Sequence, residues 1–174
     1  MEIEGSRLLK QGLIAIIAGG LLACIKPAAQ PPVGVSITPS EGTGSKLDFT
    51  ATFSDAKGAA NITLAGVLIN EQLTRENSCY VMFLPPYKGL RLVKDTGSEA
   101  FPLDFDGKSS VENSQCTVYA KGSSAVRKGN ELTVKGSIEF KPKFHGNKEI
   151  YLYAENTEGG KTTMTPAKGA WVVP

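Results

Sequence analysis

The stretch Lys46-Leu47-Asp48-Phe49-Thr50-Ala51-Thr52-Phe53-Ser54 alternates without a break between polar and apolar side chains. Its apolar members, Leu47, Phe49, Ala51 and Phe53, return at every second position, which is the period of a β-strand with one buried and one solvated face. The stretch therefore predicts a strand that covers a hydrophobic core on one side only.

Comparable segments follow one another from residue 33 to the last residues of the chain, with Gly, Pro, Asp and Asn between them. Gly66 interrupts one of them, which predicts a bulge or a close approach of another group. The predicted strands are Val33–Thr38, Lys46–Ser54, Ile62–Asn70, Cys79–Leu84, Gly89–Lys94, Gln115–Ala120, Glu131–Phe140, Lys148–Glu155 and Gly169–Val173. Eight or nine short strands predict an all-β fold, an immunoglobulin-like antiparallel β-sandwich, with a closed barrel as the alternative.

The N-terminal segment has a different character, because Gly12–Ile25 contains no charged residue. As a helix it would span ~21 Å, or ~27 Å from Leu8, against about 30 Å of hydrocarbon. Leu21-Leu22-Ala23-Cys24 resembles the lipobox of bacterial lipoproteins, which implies lipidation of Cys24. A cleaved secretory signal, a lipoprotein signal and a retained hydrophobic anchor helix all remain open. Residues 1–30 are thus predicted to be a signal or anchor and residues 31–174 one domain.

Length and net charge restrict the size of the domain and the kind of partner. The chain has 174 residues, enough for one domain with a full core, and a net charge of +2. Such a small charge gives no reason to expect a nucleic-acid partner.

Two of the three cysteines, Cys79 and Cys116, lie within predicted strands of the domain. In an exported protein such a pair predicts a disulfide, worth roughly 4 kcal/mol on the chain-entropy model. Two buried free thiols are the alternative for a protein kept in a reducing compartment.

Two further segments carry a resemblance. Ser54-Asp55-Ala56-Lys57-Gly58 follows a Phe-rich strand, and Tyr151–Asn156 is followed by Gly159-Gly160. With the segments around Cys79 and Cys116, they resemble bacterial secreted Ig-like or fibronectin-III-like modules over residues 33–174. The resemblance implies display, adhesion or assembly, and it brings no catalytic residues with it.

Residues for catalysis or metal binding are sparse. His145 is the only histidine, and it lies in a predicted turn. No nucleophile elbow, phosphate-binding Gly-rich loop or Cys-x-x-Cys pair is present. Asp104 and Asp106, followed by Gly107, could begin a calcium loop but equally make a turn. We expect no enzyme, no cofactor and no metal site.

Aromatic residues supply the candidate partner-binding surface. The predicted hairpin tip Phe83-Leu84-Pro85-Pro86-Tyr87 is more apolar than solubility requires. Tyr151 and Tyr153 are predicted on the strand face opposite the core. There they either stack sugars or dock a partner, or pack against loops and cross-strand neighbours.

These observations predict a non-catalytic, membrane-anchored module on the periplasmic or extracellular side of a bacterial membrane. It would contact the membrane through its N-terminal helix or a lipid on Cys24. It would serve as a structural or accessory subunit of a membrane complex, for which a photosynthetic or respiratory assembly is one guess. The alternative is a surface adhesion or carbohydrate-binding lipoprotein.

Overall fold

A computed structural model describes residues 30–174. The predicted anchor helix and the lipidation residue Cys24 lie outside these described residues.

Residues 30–174 form twelve strands and three single-turn 3-10 helices. The strands are β1 (Val33–Thr38), β2 (Glu41–Thr43), β3 (Lys46–Ser54), β4 (Ile62–Asn70), β5 (Cys79–Leu84), β6 (Gly89–Val93), β7 (Ala100–Asp104), β8 (Ser110–Glu112), β9 (Cys116–Lys128), β10 (Glu131–Phe140), β11 (Gly146–Asn156) and β12 (Gly169–Val173). The 3-10 helices are Ala59–Asn61, Pro85–Tyr87 and Pro142–Phe144.

The strands make two sheets that share one core. The five-stranded sheet has the order β1-β3-β10-β9-β8, and the seven-stranded sheet has the order β2-β12-β11-β4-β5-β6-β7. All pairings are antiparallel except that of β12 with β2. The prediction of an all-β fold is therefore confirmed, in a sandwich-like arrangement of two sheets.

The core consists of the inward side chains of both sheets. Leu47, Phe49, Ala51 and Phe53 of β3 are all buried in it, as the opening stretch predicts. Phe49 packs edge-on against Phe83 of β5, with ring centroids 6.2 Å apart. The contact crosses from one sheet to the other, so the alternation in β3 does set the inner face of the domain.

The predicted disulfide is present. Cys79 at the start of β5 is bonded to Cys116 at the start of β9, with Cα atoms 5.8 Å apart. Because β5 and β9 belong to different sheets, the bond clamps the two sheets together at one end of the molecule.

The strand predictions err by omission. β2 lies between the predicted strands Val33–Thr38 and Lys46–Ser54, and β7 and β8 lie between the predicted strands Gly89–Lys94 and Gln115–Ala120. β9 also continues to Lys128. The three missed strands have only three to five residues and lie at sheet edges. An edge strand buries little, so the apolar alternation that marks a strand in sequence is weak there.

Gly66 is a site of close approach and not a bulge. Its register on β4 is regular, with Tyr153 on one side and Met82 on the other. A Cβ placed on Gly66 would lie 2.7 Å from Cε2 of Tyr80, so the tyrosine ring occupies the space that a side chain would fill.

The first described residues are attached at one end of the domain, which we call the Gln30 end. The side-chain amide of Asn156 donates hydrogen bonds to the carbonyl oxygen of Gln30 (2.8 Å) and to the carboxylate of Asp55 (2.9 Å). Asp55 follows β3 and Asn156 ends β11. This network therefore joins the two sheets and the incoming chain.

Candidate interaction surface at the β5–β6 hairpin

The hairpin tip between β5 and β6 is the most exposed apolar feature of the predicted site. Tyr87 is 77% exposed. It ends the 3-10 helix that Pro85 begins, and Lys88 follows in a left-handed conformation with φ of 50°. Proline fixes φ near −65°, so the two prolines stiffen the backbone that presents the tyrosine. The turn holds a large amphipathic ring in solvent.

The other members of the predicted tip divide into two groups. Phe83 is fully buried and belongs to the core. Leu84 and Pro85 are half-buried, and Pro86 is exposed. Only the residues from Leu84 to Tyr87 can therefore contribute to an outer surface, and Phe83 supports that surface from below.

Tyr151 and Tyr153 do not form an open face. They are 9% and 8% exposed on the outer side of β11. Tyr151 belongs to a second apolar cluster with Leu68, Tyr80 and Val93, against which Met164 and Ala167 pack. The expectation of an exposed aromatic face on β11 is corrected here, and the alternative of packing against loops and cross-strand neighbours describes the structure.

Tyr153 and Tyr80 differ in how their hydroxyl groups are bonded. The hydroxyl of Tyr153 donates to Glu155, and burial together with this hydrogen bond raises the pKa of Tyr153. The hydroxyl of Tyr80 is buried, and it has no hydrogen-bond partner among the described residues. Burial raises the pKa of Tyr80 to about 12, so both phenols remain neutral at physiological pH.

A depression of about 190 Å³ opens beside Tyr87 on the outer face of the seven-stranded sheet. It is lined by Leu84, Tyr87, Gly89, Leu90, Arg91, Pro102, Leu103 and Asp104. Gly89 pairs with Leu84 on one side and with Asp104 on the other. Because Gly89 has no side chain, the two flanking side chains stand apart and the backbone between them forms the floor.

Arg91 and Asp104 give the depression its charges. Arg91 pairs with Pro102 across β6 and β7, one step from the Gly89–Asp104 pair. Neither Arg91 nor Asp104 takes part in an ion pair within the described part of the chain. The depression thus offers one donor group, one acceptor group and an apolar wall, with no net charge.

The acidic segment after β7 is a turn. Asp106 accepts hydrogen bonds from the backbone N–H groups of Lys108 and Ser109 at 2.8 and 2.9 Å, and from the Ser109 hydroxyl at 2.5 Å. These bonds lower the pKa of Asp106 to about 2. The Asp106 carboxylate is therefore already engaged within its own turn. Within residues 30–174 no group of three or more His, Cys, Asp or Glu side chains is placed to hold a metal ion.

His145 is exposed after the last 3-10 helix. Its carbonyl oxygen accepts a hydrogen bond at 2.9 Å from the ammonium of Lys148, a buried residue that also donates to Glu71 at 2.5 Å. The Lys148 ammonium lies 4.5 Å from the Phe144 ring centroid. The alternation of β11 assigns Lys148 to the core face. Its pairing with Glu71 could not be predicted from local spacing, since 77 positions separate the two residues.

The sequence prediction did not include Gly89, Arg91 and Pro102, which line the depression. Arg91 stands alone between apolar neighbours in β6, and an isolated outward charge on a strand is common. The one available signal was the alternation of Gly89, Arg91 and Val93 against Leu90 and Leu92, which places Arg91 on the outer face. Its nearness to Asp104 depends on the pairing with β7, a strand that was not predicted.

Residues 30–174 contain no helix with the length and apolar character needed to cross a bilayer. Comparisons with protein-family models, with curated proteins and with solved structures gave no match.

Proposed function

We propose that the chain is a non-catalytic, membrane-anchored extracytoplasmic module of Ig-like architecture, and that it serves as an accessory subunit of a bacterial membrane complex. The partner subunit would dock on the outer face of β5–β7, at the depression beside Tyr87. The observation that carries the proposal is the exposure of Tyr87 next to a depression whose charged side chains, Arg91 and Asp104, form no ion pair within residues 30–174.

The Ig-like assignment draws support from the two facing sheets and from the disulfide between them. Ig domains also pack two largely antiparallel sheets over one core and often carry an inter-sheet disulfide. The export of the domain draws support from the same bond, because stable disulfides form in oxidising compartments.

The chemistry of the depression fits a protein partner. Tyr and Arg are enriched among the residues that dominate binding energy, and such residues cluster around small desolvated pockets. A depression of about 190 Å³ admits a single side chain, since drug-sized ligands use about 300–1,000 Å³. The guanidinium of Arg91 can donate hydrogen bonds to a polar group on that side chain, and the carboxylate of Asp104 can accept them.

A contact of this size is weak when both partners are free in solution, because stable interfaces bury about 1,200–2,000 Å². A shared membrane changes that, since tethering raises the effective concentration of two partners to the millimolar range. A small contact surface is therefore sufficient if the predicted anchor holds the chain in the same membrane as its partner.

Sugar binding through Tyr151 and Tyr153 receives no support from the geometry. A sugar ring stacks on an exposed aromatic face, whereas Tyr151 and Tyr153 are only 9% and 8% exposed.

The test is extraction of the full chain from its native membrane in mild detergent, followed by native electrophoresis and intact mass. We expect the chain to migrate in a larger assembly, and Arg91→Glu to release it as a single chain. Lys135→Glu is the matched control, because Lys135 is exposed on the outer face of the other sheet. A lone wild-type chain, or equal release by both variants, would contradict docking at this surface.

Intact mass tests the anchor in the same sample. A chain that begins near Met1 indicates a retained span, and a diacylated Cys24 indicates a lipoprotein. A chain that begins near Pro31 removes the anchor and with it the membrane-bound function.

A further inference from the structure

The β5–β6 hairpin and the incoming chain lie at the same end of the domain. The carbonyl oxygen of Gln30 accepts a hydrogen bond from Asn156, and that of Pro32 accepts one from the Thr162 hydroxyl, both at 2.8 Å. Asn156 is the last residue of β11. The chain therefore arrives where β11 ends.

The strand register shows that β5 ends at the same end of the seven-stranded sheet as β11. Glu155, one residue before the end of β11, pairs with Leu64 of β4, and the neighbouring Ala65 pairs with Phe83 of β5. The hairpin turns directly after Leu84. β5 is two strands from β11, or roughly 10 Å at the usual spacing of strands. The hairpin tip and Gln30 are thus close neighbours at the Gln30 end.

The predicted anchor restricts the distance between this end and a membrane. Five residues lead from Ile25 to Gln30, and an extended chain covers at most about 3.6 Å per residue, or about 18 Å in all. Starting from a lipid on Cys24, the reach is about 22 Å. A domain held on so short a lead presents its Gln30 end to the bilayer, and the opposite end points away.

We propose that the apex of the hairpin, Pro86-Tyr87-Lys88, rests in the headgroup layer of the membrane that holds the chain. This inference depends on the anchor in the proposed function and adds the orientation of the domain. The partner subunit would then contact the side of the depression lined by Arg91, Pro102 and Asp104, while Tyr87 at its rim faces the headgroups.

The side chains of the apex suit this position. Tyrosine has an apolar ring with a polar tip, a combination that is enriched at the membrane–water interface. Lys88 is exposed next to it, and an ammonium group is attracted to anionic headgroups within a Debye length of the surface. The stiff Pro85-Pro86 backbone already holds the ring outward, so little ordering is required on contact.

The opposite end supplies a matched control. Leu73 lies in the connection between β4 and β5 at the end away from Gln30, and it is 43% exposed. It is apolar and exposed like Tyr87, but the orientation proposed here keeps it in water.

The experiment uses the full chain in vesicles of phosphatidylethanolamine with a minor share of phosphatidylglycerol, some of whose lipids carry a nitroxide near the headgroup. Tyr87→Trp and Leu73→Trp each add one tryptophan to the native Trp171, and the unaltered chain gives the baseline. We expect the added emission of Tyr87→Trp to be quenched about twofold and shifted to the blue, as for an interfacial aromatic. The added emission of Leu73→Trp should not change.

Equal quenching at both positions, or no quenching at position 87 in chains that float with the vesicles, overturns the inference and leaves the anchor standing. Chains that do not float with the vesicles overturn the anchor, and the orientation falls with it.

Discussion

The outer faces of the two sheets differ, although both sheets build the same core. On the five-stranded sheet the outer side chains are open to solvent. Asp48 and Lys135 are exposed, Lys46 forms an ion pair with Glu139 at 3.7 Å, and even the apolar Val126 is 59% exposed. On the seven-stranded sheet Leu68, Tyr80 and Tyr151 form a second apolar layer. One sheet is thus packed on one side and the other on both.

The connection between β11 and β12 explains the difference. Met164 and Ala167 of this connection pack on the second layer, and its backbone is fastened to β11 through Thr162 and Lys168, whose N–H groups donate to Ala154 and Ile150. The five-stranded sheet has no such cover among the described residues. Whether an outward residue is exposed therefore depends on the connection that covers the strand as well as on the strand itself.

The largest expected effect comes from truncating the second layer. Tyr151→Ala should lower the free energy of unfolding by about 3 kcal/mol, because a buried aromatic loses its transfer energy and leaves a cavity. Lys135→Ala, at an outward position of the other sheet, should change it by less than about 0.5 kcal/mol. Urea unfolding measures both. Similar small losses would show that the second layer does not contribute to stability.

A smaller effect is expected where the two sheets meet, at Asp55. Burial alone raises the pKa of Asp55, but hydrogen bonds from the Asn156 side chain, the Lys57 N–H and the Asn61 side chain bring it below its ordinary value. A depressed pKa stabilises the fold above the unfolded value of about 3.9, and that contribution is lost as the pH falls through the folded pKa.

Asp55→Asn should therefore cost roughly 2 kcal/mol above about pH 5, since an amide would set donors against the donors of Asn61 and Asn156. The difference from wild type should shrink below about pH 4. Asp48→Asn, on the solvated outer face, is the control. A difference that stays constant across the acid range would mean that the Asp55 carboxylate is not the group responsible.

The smallest expected effect comes from removing one of two buried tyrosine hydroxyl groups on the outer side of the seven-stranded sheet. Tyr80→Phe removes a buried hydroxyl that has no partner among residues 30–174, so it should leave stability unchanged or raise it by up to about 1 kcal/mol. Tyr153→Phe removes a hydroxyl bonded to Glu155 and should lower stability by about 1 kcal/mol. Thermal and urea unfolding should rank the two variants in that order, and the reverse order would show that the Tyr80 hydroxyl is bonded in solution.

The sequence predicted nine of the twelve strands, because their side chains alternate between polar and apolar or form apolar runs of several residues. It failed at β2, β7 and β8, whose short edge segments carry little such signal. It predicted the hairpin tip but included Phe83, since an apolar run does not reveal where the chain turns from core to surface. It missed Arg91 as part of the candidate site, because only the pairing of β6 with β7 brings that residue beside Asp104.

The sequence by itself determined which side of each long strand is apolar, and it identified the two cysteines that join the sheets. Both depend on residue type and local spacing. The tertiary structure alone decided which outward face is covered and which tyrosine stays in solvent. That decision depends on the path of residues 157–168 and on strand register, and both arise from contacts between residues far apart in the chain. Tyr87 and Tyr151 were both predicted to lie outside the core, and for this reason one is 77% exposed and the other 9%.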